Sequence, residues 1–123
     1  MKLQRDTFPE RNLITAYGDA HIEINRERHE ASLVILPDRL ITGWAQGGFE
    51  RLSENDFAQI AELAPEMLIF GSGSRQRFPA PALLRPLIAA RIGYEIMDRA
   101  AAARTYKVLM LEGRMVACAL LID

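Results

Sequence analysis

Gly71-Ser72-Gly73-Ser74-Arg75 is the segment with the clearest capacity for chemistry. It directly follows Met67 to Phe70, an apolar run that reads as a buried strand, and α/β proteins hold ligands beyond the carboxyl ends of such strands. Backbone amides there, with Arg75 or Arg77, offer donors to an anion. The loop lacks the third glycine of a dinucleotide fingerprint and the Lys-Ser/Thr of a phosphate loop. The next helix, opening near Pro81, starts too far on for its dipole to reach the loop. The plainer alternative is a sharp turn whose glycines supply positive φ.

A second constellation is cationic. Residues 1–66 carry seven basic and twelve acidic side chains, whereas residues 67–123 carry eight and four. Arg75, Arg77, Arg99, Arg104 and Lys107 supply much of the positive excess. If the strand ends adjoin, these groups gather with Asp98 at one rim, where planar guanidinium donors suit carboxylate or phosphate. The alternative is pairing with the acidic first half inside the fold. Asp98 reads first as a helix cap, worth about 1 kcal/mol; a general base would need a partner and a perturbed pKa. Tyr106 is expected to pack, and Thr105 to bond its own helix backbone. His21 and His29 read as exposed strand residues, without the three or four ligands of a metal site. Cys118, among small apolar residues, reads as a buried hydrophobe and not a nucleophile. Ser72 lacks nucleophile-elbow spacing, so catalytic residues, metal and cofactor are all expected to be none.

These groups need elements to position them. Leu13 to Tyr17 and His21 to Ile24 flank Gly18-Asp19-Ala20 as a short hairpin. Asn25 to Glu30 turns or extends that edge. Ala31 to Leu36 is apolar on both faces, Pro37-Asp38 turns the chain, and Leu40 to Trp44 returns with Leu40, Thr42 and Trp44 on one face. From Ser53 the period becomes helical: Ser53 and Asp56 form a capping pair, Phe57, Ile60, Ala61 and Ala64 make a stripe, and Pro65 ends it. Pro81 opens a second helix with a stripe of Leu84, Leu87, Ile88 and the Arg91 stem; Pro86 demands a kink or a later start. Gly93 is expected to end it before a strand at Tyr94 to Met97. Asp98 caps a third helix across Ala100 to Leu111, Glu112-Gly113 ends it, and Val116 to Ile122 is an inner strand. The alternation predicts parallel strands in the second half. The expected architecture is α/β: a three-layer single domain over residues 1–123, with a mixed central sheet flanked by helices and an accessory β-hairpin layer.

Composition closes several classes. The 123 residues are 50% hydrophobic and 25% charged with a net charge of −1, which excludes collagen, coiled coil, disordered tail and disulfide scaffold. Near-neutral charge argues against a dedicated nucleic-acid binder. No apolar run reaches the roughly 18 residues of a membrane span. Met1 to Asn12, with Asp6 and Glu10 among its basic residues, resembles neither a signal nor a transit peptide, giving the expectation of a cytoplasmic protein.

Two segments carry a family resemblance. Gly71, Ser72, Gly73, Gln76, Phe78 and Pro81 match one motif. Ile92, Gly93, Glu95, Met97, Asp98, Ala102, Arg104, Thr105, Tyr106 and Leu109 match a second. The chain thereby resembles the family of small Mth-type domains of unknown function, whose members include a mitochondrial respiratory-complex assembly factor and an adipogenesis-associated protein. Arg99, Ala103 and Lys107 depart from the pattern, which has a small hydroxyl residue, often Cys, and Asn there. The resemblance implies a three-layer α/β fold, no established enzymatic activity or cofactor, and, by analogy, a role in assembling a membrane-bound respiratory complex.

The leading expectation is a non-enzymatic binding or assembly protein with a protein partner. Its candidate binding residues are Gly71, Ser72, Gly73, Arg75, Gln76, Arg77, Asp98 and Arg104. The rival is a binder or enzyme for a small anionic metabolite or nucleotide at the Gly71–Arg77 loop. An exposed hairpin edge also permits a homodimer, with Trp44 or Phe49 at the contact.

Overall fold

Eight strands and three helices follow one another in the computed structural model, which describes residues 11–122. Most of the stretch behind the targeting expectation, Met1 to Glu10, lies outside the described residues. In chain order come β1 (Ile14–Tyr17), β2 (Ile22–Ile24), β3 (Glu27–His29), β4 (Leu33–Leu36) and β5 (Arg39–Thr42). Helix α1 (Glu54–Glu62), β6 (Met67–Gly71), α2 (Arg85–Ala89), β7 (Gly93–Met97), α3 (Arg99–Leu111) and β8 (Val116–Leu120) complete the order. Short 3-10 turns at Phe49–Arg51 and Pro81–Leu84 lead toward α1 and α2.

Strands β1, β2 and β3 make an antiparallel three-stranded sheet, so Asn25 to Glu30 does extend the edge. The larger sheet has the order β5-β4-β8-β6-β7. Strand β4 is antiparallel to β5 and β8, while β8, β6 and β7 run parallel. This is the mixed sheet the alternation predicts.

Strand alternation sends successive side chains to opposite faces and builds two cores. Leu33, Ile35, Ile69, Cys118 and Leu120 face α3 and the small sheet, where Ile14, Ile22, Ala102, Ala103 and Tyr106 meet them. Val34, Leu36, Leu68, Phe70 and Ala119 face α1, α2 and the turn before it, against Trp44, Phe57, Ile60, Leu84 and Leu87. Trp44, Phe57 and Phe70 contact one another edge to face, with ring centroids 5.6–6.1 Å apart. That geometry suits the aromatic quadrupole.

Local signals act as expected at three helix ends. The Ser53 hydroxyl accepts from the Asp56 amide while the Asp56 carboxylate accepts from the Ser53 amide, a full capping box. Asp98 caps α3 through the Ala101 amide at 2.8 Å. Gly113 follows α3 with φ of 83°. Pro81 opens the 3-10 turn, and Pro86 sits in the first turn of α2, the later start.

Elsewhere the structure departs from the reading. Strand β5 stops at Thr42 because Gly43 turns left-handed (φ 76°), which carries Trp44 into the opposite core from Leu40. Trp44, only 2% exposed, is therefore a core residue rather than a dimer contact. Helix α1 ends at Glu62, and Ala64, with φ of 54°, lies beyond it. Ile88 is exposed, outside the α2 stripe. Gly93 begins β7 instead of ending α2; Arg91 adopts the left-handed residue (φ 60°), and the Ile92 amide closes back on Leu87.

At Gly71 α3 lies close against the sheet. A Cβ there would meet Leu120 Cδ2 at 2.8 Å, Ala102 Cβ at 2.9 Å and the Arg99 Cα at 3.1 Å. Gly71→Ala is expected to destabilise by about 1–3 kcal/mol, the usual cost of overpacking, read as a lower urea midpoint. Gly93→Ala, whose Cβ would meet nothing within 4 Å, is expected to leave that midpoint unchanged or slightly raised.

Candidate functional site

The parallel register sets Gly71 beside Met97, so the loop after β6 and the residues after β7 emerge side by side. The Ser72 amide donates to the Met97 carbonyl at 2.8 Å, and the Arg99 amide donates to the Gly73 carbonyl at 2.7 Å. Both motif segments are thus stitched together through their backbones.

Much of the loop's polar chemistry is turned on itself. Fully buried Ser72 accepts from the Arg77 amide at 2.7 Å and donates to the Arg75 carbonyl at 2.8 Å. The Arg77 guanidinium returns to the Ser72 carbonyl through Nε (3.1 Å) and Nη2 (2.6 Å), with its carbon 4.5 Å above the Phe49 ring. Gln76 donates its amide to the Ile96 carbonyl at 2.8 Å. Arg75 is exposed.

Arg99 follows a different course. Its side chain enters the protein, leaving the residue 4% exposed. Nη1 donates to the Leu121 carbonyl at 3.1 Å, and Nη2 donates to the carbonyls of Gly18, at 3.3 Å, and Asp19. Arg104 reaches the Tyr17 hydroxyl at 3.2 Å. That hydrogen bond, then the charge of Tyr17, holds the guanidinium above its usual pKa; Asp98 adds a smaller push. Arg77 thus folds back on the glycine loop, whereas the side chains of Arg99 and Arg104 reach the first hairpin. Backbone carbonyls accept from Arg77 and Arg99, and a phenol from Arg104, in these bonds.

A cleft of about 380 Å³ does form between the first hairpin and the end of β7. Tyr17, Gly18, Asp19, Ser74, Asp98, Arg99 and Ala100 line it. Of the residues the sequence singles out, Ser74, Asp98 and Arg99 line this cleft, with Arg104 at its edge through Tyr17. Tyr17 and Asp19 were missed because the hairpin lies about 80 residues from Arg99 in sequence. Arg99 itself was a usable signal: a long donor-rich side chain stands where the family motif has a small hydroxyl residue.

The remaining candidates are structural. Thr105 donates to the Met97 sulfur at 3.4 Å and not to its own helix. Tyr106 is buried and donates to the Asn12 carbonyl at 2.8 Å, and burial pushes its pKa well up. Cys118 is fully buried, and desolvation raises its thiol pKa strongly, the opposite of activation. His21 and His29 are half-buried, contrary to the exposed reading; the His21 ring packs where Gly18 leaves space. Phe49 is half-buried under Arg77. Among the described residues no group of three or more His, Cys, Asp or Glu could hold a metal ion, and no helix is long and apolar enough to cross a membrane.

Comparison with known proteins adds a family match and full-length structural likeness. The family model described as "Protein of unknown function (DUF498/DUF598)" matches residues 14–121. A Bos taurus protein named NADH dehydrogenase [ubiquinone] 1 alpha subcomplex assembly factor 3 is 28% identical over 121 residues, covering 97% of this chain and 65% of that protein. The chain thus spans less than two-thirds of that relative's length. A crystal structure from Bordetella parapertussis is 41% identical with a TM-score of 0.87, covering 94% of this chain and 99% of that one. A solution structure from Bordetella pertussis, described as an Mth938-like domain, is 35% identical with a TM-score of 0.82, covering 100% and 93%.

Arg99→Met removes donors from three carbonyls while keeping the bulk of the side chain. It is expected to cost about 2–4 kcal/mol, since buried acceptors lose their partners, measured by urea denaturation. Arg104→Met, at an exposed surface contact, is expected to leave Tm unchanged. Cys118 is expected to resist a thiol-specific disulfide reagent in the native protein and to react promptly in denaturant.

Proposed function

This chain belongs to the DUF498/DUF598 family of proteins of unknown function, and on that premise we propose that it is a non-enzymatic binding protein assisting the assembly of a membrane-bound respiratory complex. The observation that carries the reading is the extent of the match. A relative named as an assembly factor for an NADH dehydrogenase aligns along 97% of this chain. What the two share is therefore the described fold itself.

The contact surface in this reading is the rim around the cleft. Arg75 and Arg104 are its exposed cations, Asp98 and Asp19 its carboxylates, and Tyr17 its aromatic group. Gly71, Ser72 and Gly73 shape the rim, and Gln76 and Arg77 hold its loop in place. Residues 1–123 act as one domain. An anionic metabolite at the Gly71–Arg77 loop finds less support, since the Ser72 hydroxyl and Arg77 guanidinium already serve carbonyls of the same loop.

Affinity capture from detergent-solubilised membranes of the native cell tests the proposal. The tagged chain is expected to recover subunits of an NADH:quinone oxidoreductase, and Arg75→Ala with Arg104→Ala to lose them while remaining folded. Deleting the gene is expected to lower the amount of fully assembled complex on a native gel. No enriched subunits and an unchanged level of assembled complex would refute the role.

A further inference from the structure

Among the described residues, strand β7 ends the larger sheet, bonded to β6 and to no other strand. The Met97 carbonyl accepts from Ser72 on the β6 side, and backbone groups alternate along a strand. The groups of Tyr94 and Ile96 therefore point to the outer edge. One of them, the Ile96 carbonyl, is already taken by the Gln76 side chain. Tyr94 lies upstream on the same edge. Proteins usually guard such edges with Lys, Pro or a bulge. Gly93-Tyr94-Glu95-Ile96-Met97 has neither residue, and its register with β6 is unbroken.

Beside this edge runs a trough of about 480 Å³. Phe78, Pro79, Pro81, Leu84, Tyr94 and Ile96 give it apolar walls, and Gln76 and Glu95 give it a polar side. Phe78 is 67% exposed and Tyr94 37% exposed, a large aromatic surface left to solvent. The charged residue of its lining is Glu95. Arg75, Arg85 and Arg91, all exposed, flank the lining residues in the chain, against the single carboxylate of Glu95.

We infer that the β7 edge and its trough receive an extended polypeptide segment with alternating apolar side chains and acidic flanks. Strand addition supplies main-chain hydrogen bonds, and the trough takes alternate side chains. The arginines favour the acidic flanks. They also disfavour a second copy of this chain, whose own β7 edge would bring the same three cations. The inference rests on the binding role proposed above and adds to its rim a second contact surface, with the chemistry of its occupant.

Titrating the isotope-labelled full chain with the nonapeptide Asp-Glu-Val-Thr-Phe-Thr-Val-Glu-Asp, followed by NMR, tests it. The amides of Tyr94 and Ile96, the Gln76 side chain and Phe78 are expected to shift together. Binding is expected to weaken about tenfold or more when Lys replaces the acidic residues, when alternate peptide amides are N-methylated, or with Phe78→Ser, an exposed and fold-neutral change. Absent shifts, shifts confined to other surfaces, or equal affinity for the Lys peptide would overturn it. So would concentration-dependent broadening of the Tyr94 and Ile96 amides without peptide, which marks a second copy as occupant. Capture of respiratory-complex subunits that survives Phe78→Ser leaves the assembly role standing and overturns this surface alone.

Discussion

A guanidinium withdrawn from water has to find acceptors for its N–H groups, because an unpaired buried charge opposes folding by several kcal/mol. Arg99 finds them in the carbonyls of Leu121, Gly18 and Asp19. Those atoms belong to two separate stretches of chain. The bond to Leu121 ties α3 to the end of β8, and the bonds to Gly18 and Asp19 tie it to the first hairpin. Its own amide, on Gly73, fixes the loop after β6. One side chain therefore sets how the small sheet, the central sheet and α3 meet, and the cleft beside Asp98 is the space left between them.

That junction depends in turn on small residues. Gly71, Ala102 and Ala103 let α3 lie close enough to the sheet for Arg99 to reach Leu121. On the opposite face, Ala117 and Ala119 of β8 share a core with Trp44, Phe57 and Phe70. Strand β8 is buried along its whole length and sits between β4 and β6. Small side chains there serve both layers.

Much of this was legible from the residues. Period-two and helical spacing located the three helices and every described strand but β3, which falls in the charged Asn25 to Glu30 stretch read only as a turn or an edge extension, and Ser53, Asp98 and Gly113 marked helix ends through local chemistry that acts within a few residues. The misplacements arose where non-glycine backbone turned left-handed or a glycine turned earlier than expected: Ala64, Arg91 and Gly43 each moved a boundary or a face. The structure sets the loop's glycines beside Asp98, the condition on which the rim was expected; the element order indicates parallel strands but not that β6 and β7 adjoin. The arginines were not legible. Whether Arg99 turns inward depends on carbonyls supplied by distant chain, and no local pattern encodes that. The family motif indicated the fold, and the match over residues 14–121 bears that out.

Hydrogen exchange on Arg99→Met, beside the unaltered chain, reports most directly on the junction. With the guanidinium gone, amides of β1 and β2 should exchange markedly faster under native conditions, while those of α1 and β4 keep their protection. Unchanged exchange in that hairpin, or an equal loss of protection across every element, would contradict the view that Arg99 holds the small sheet to the rest of the fold.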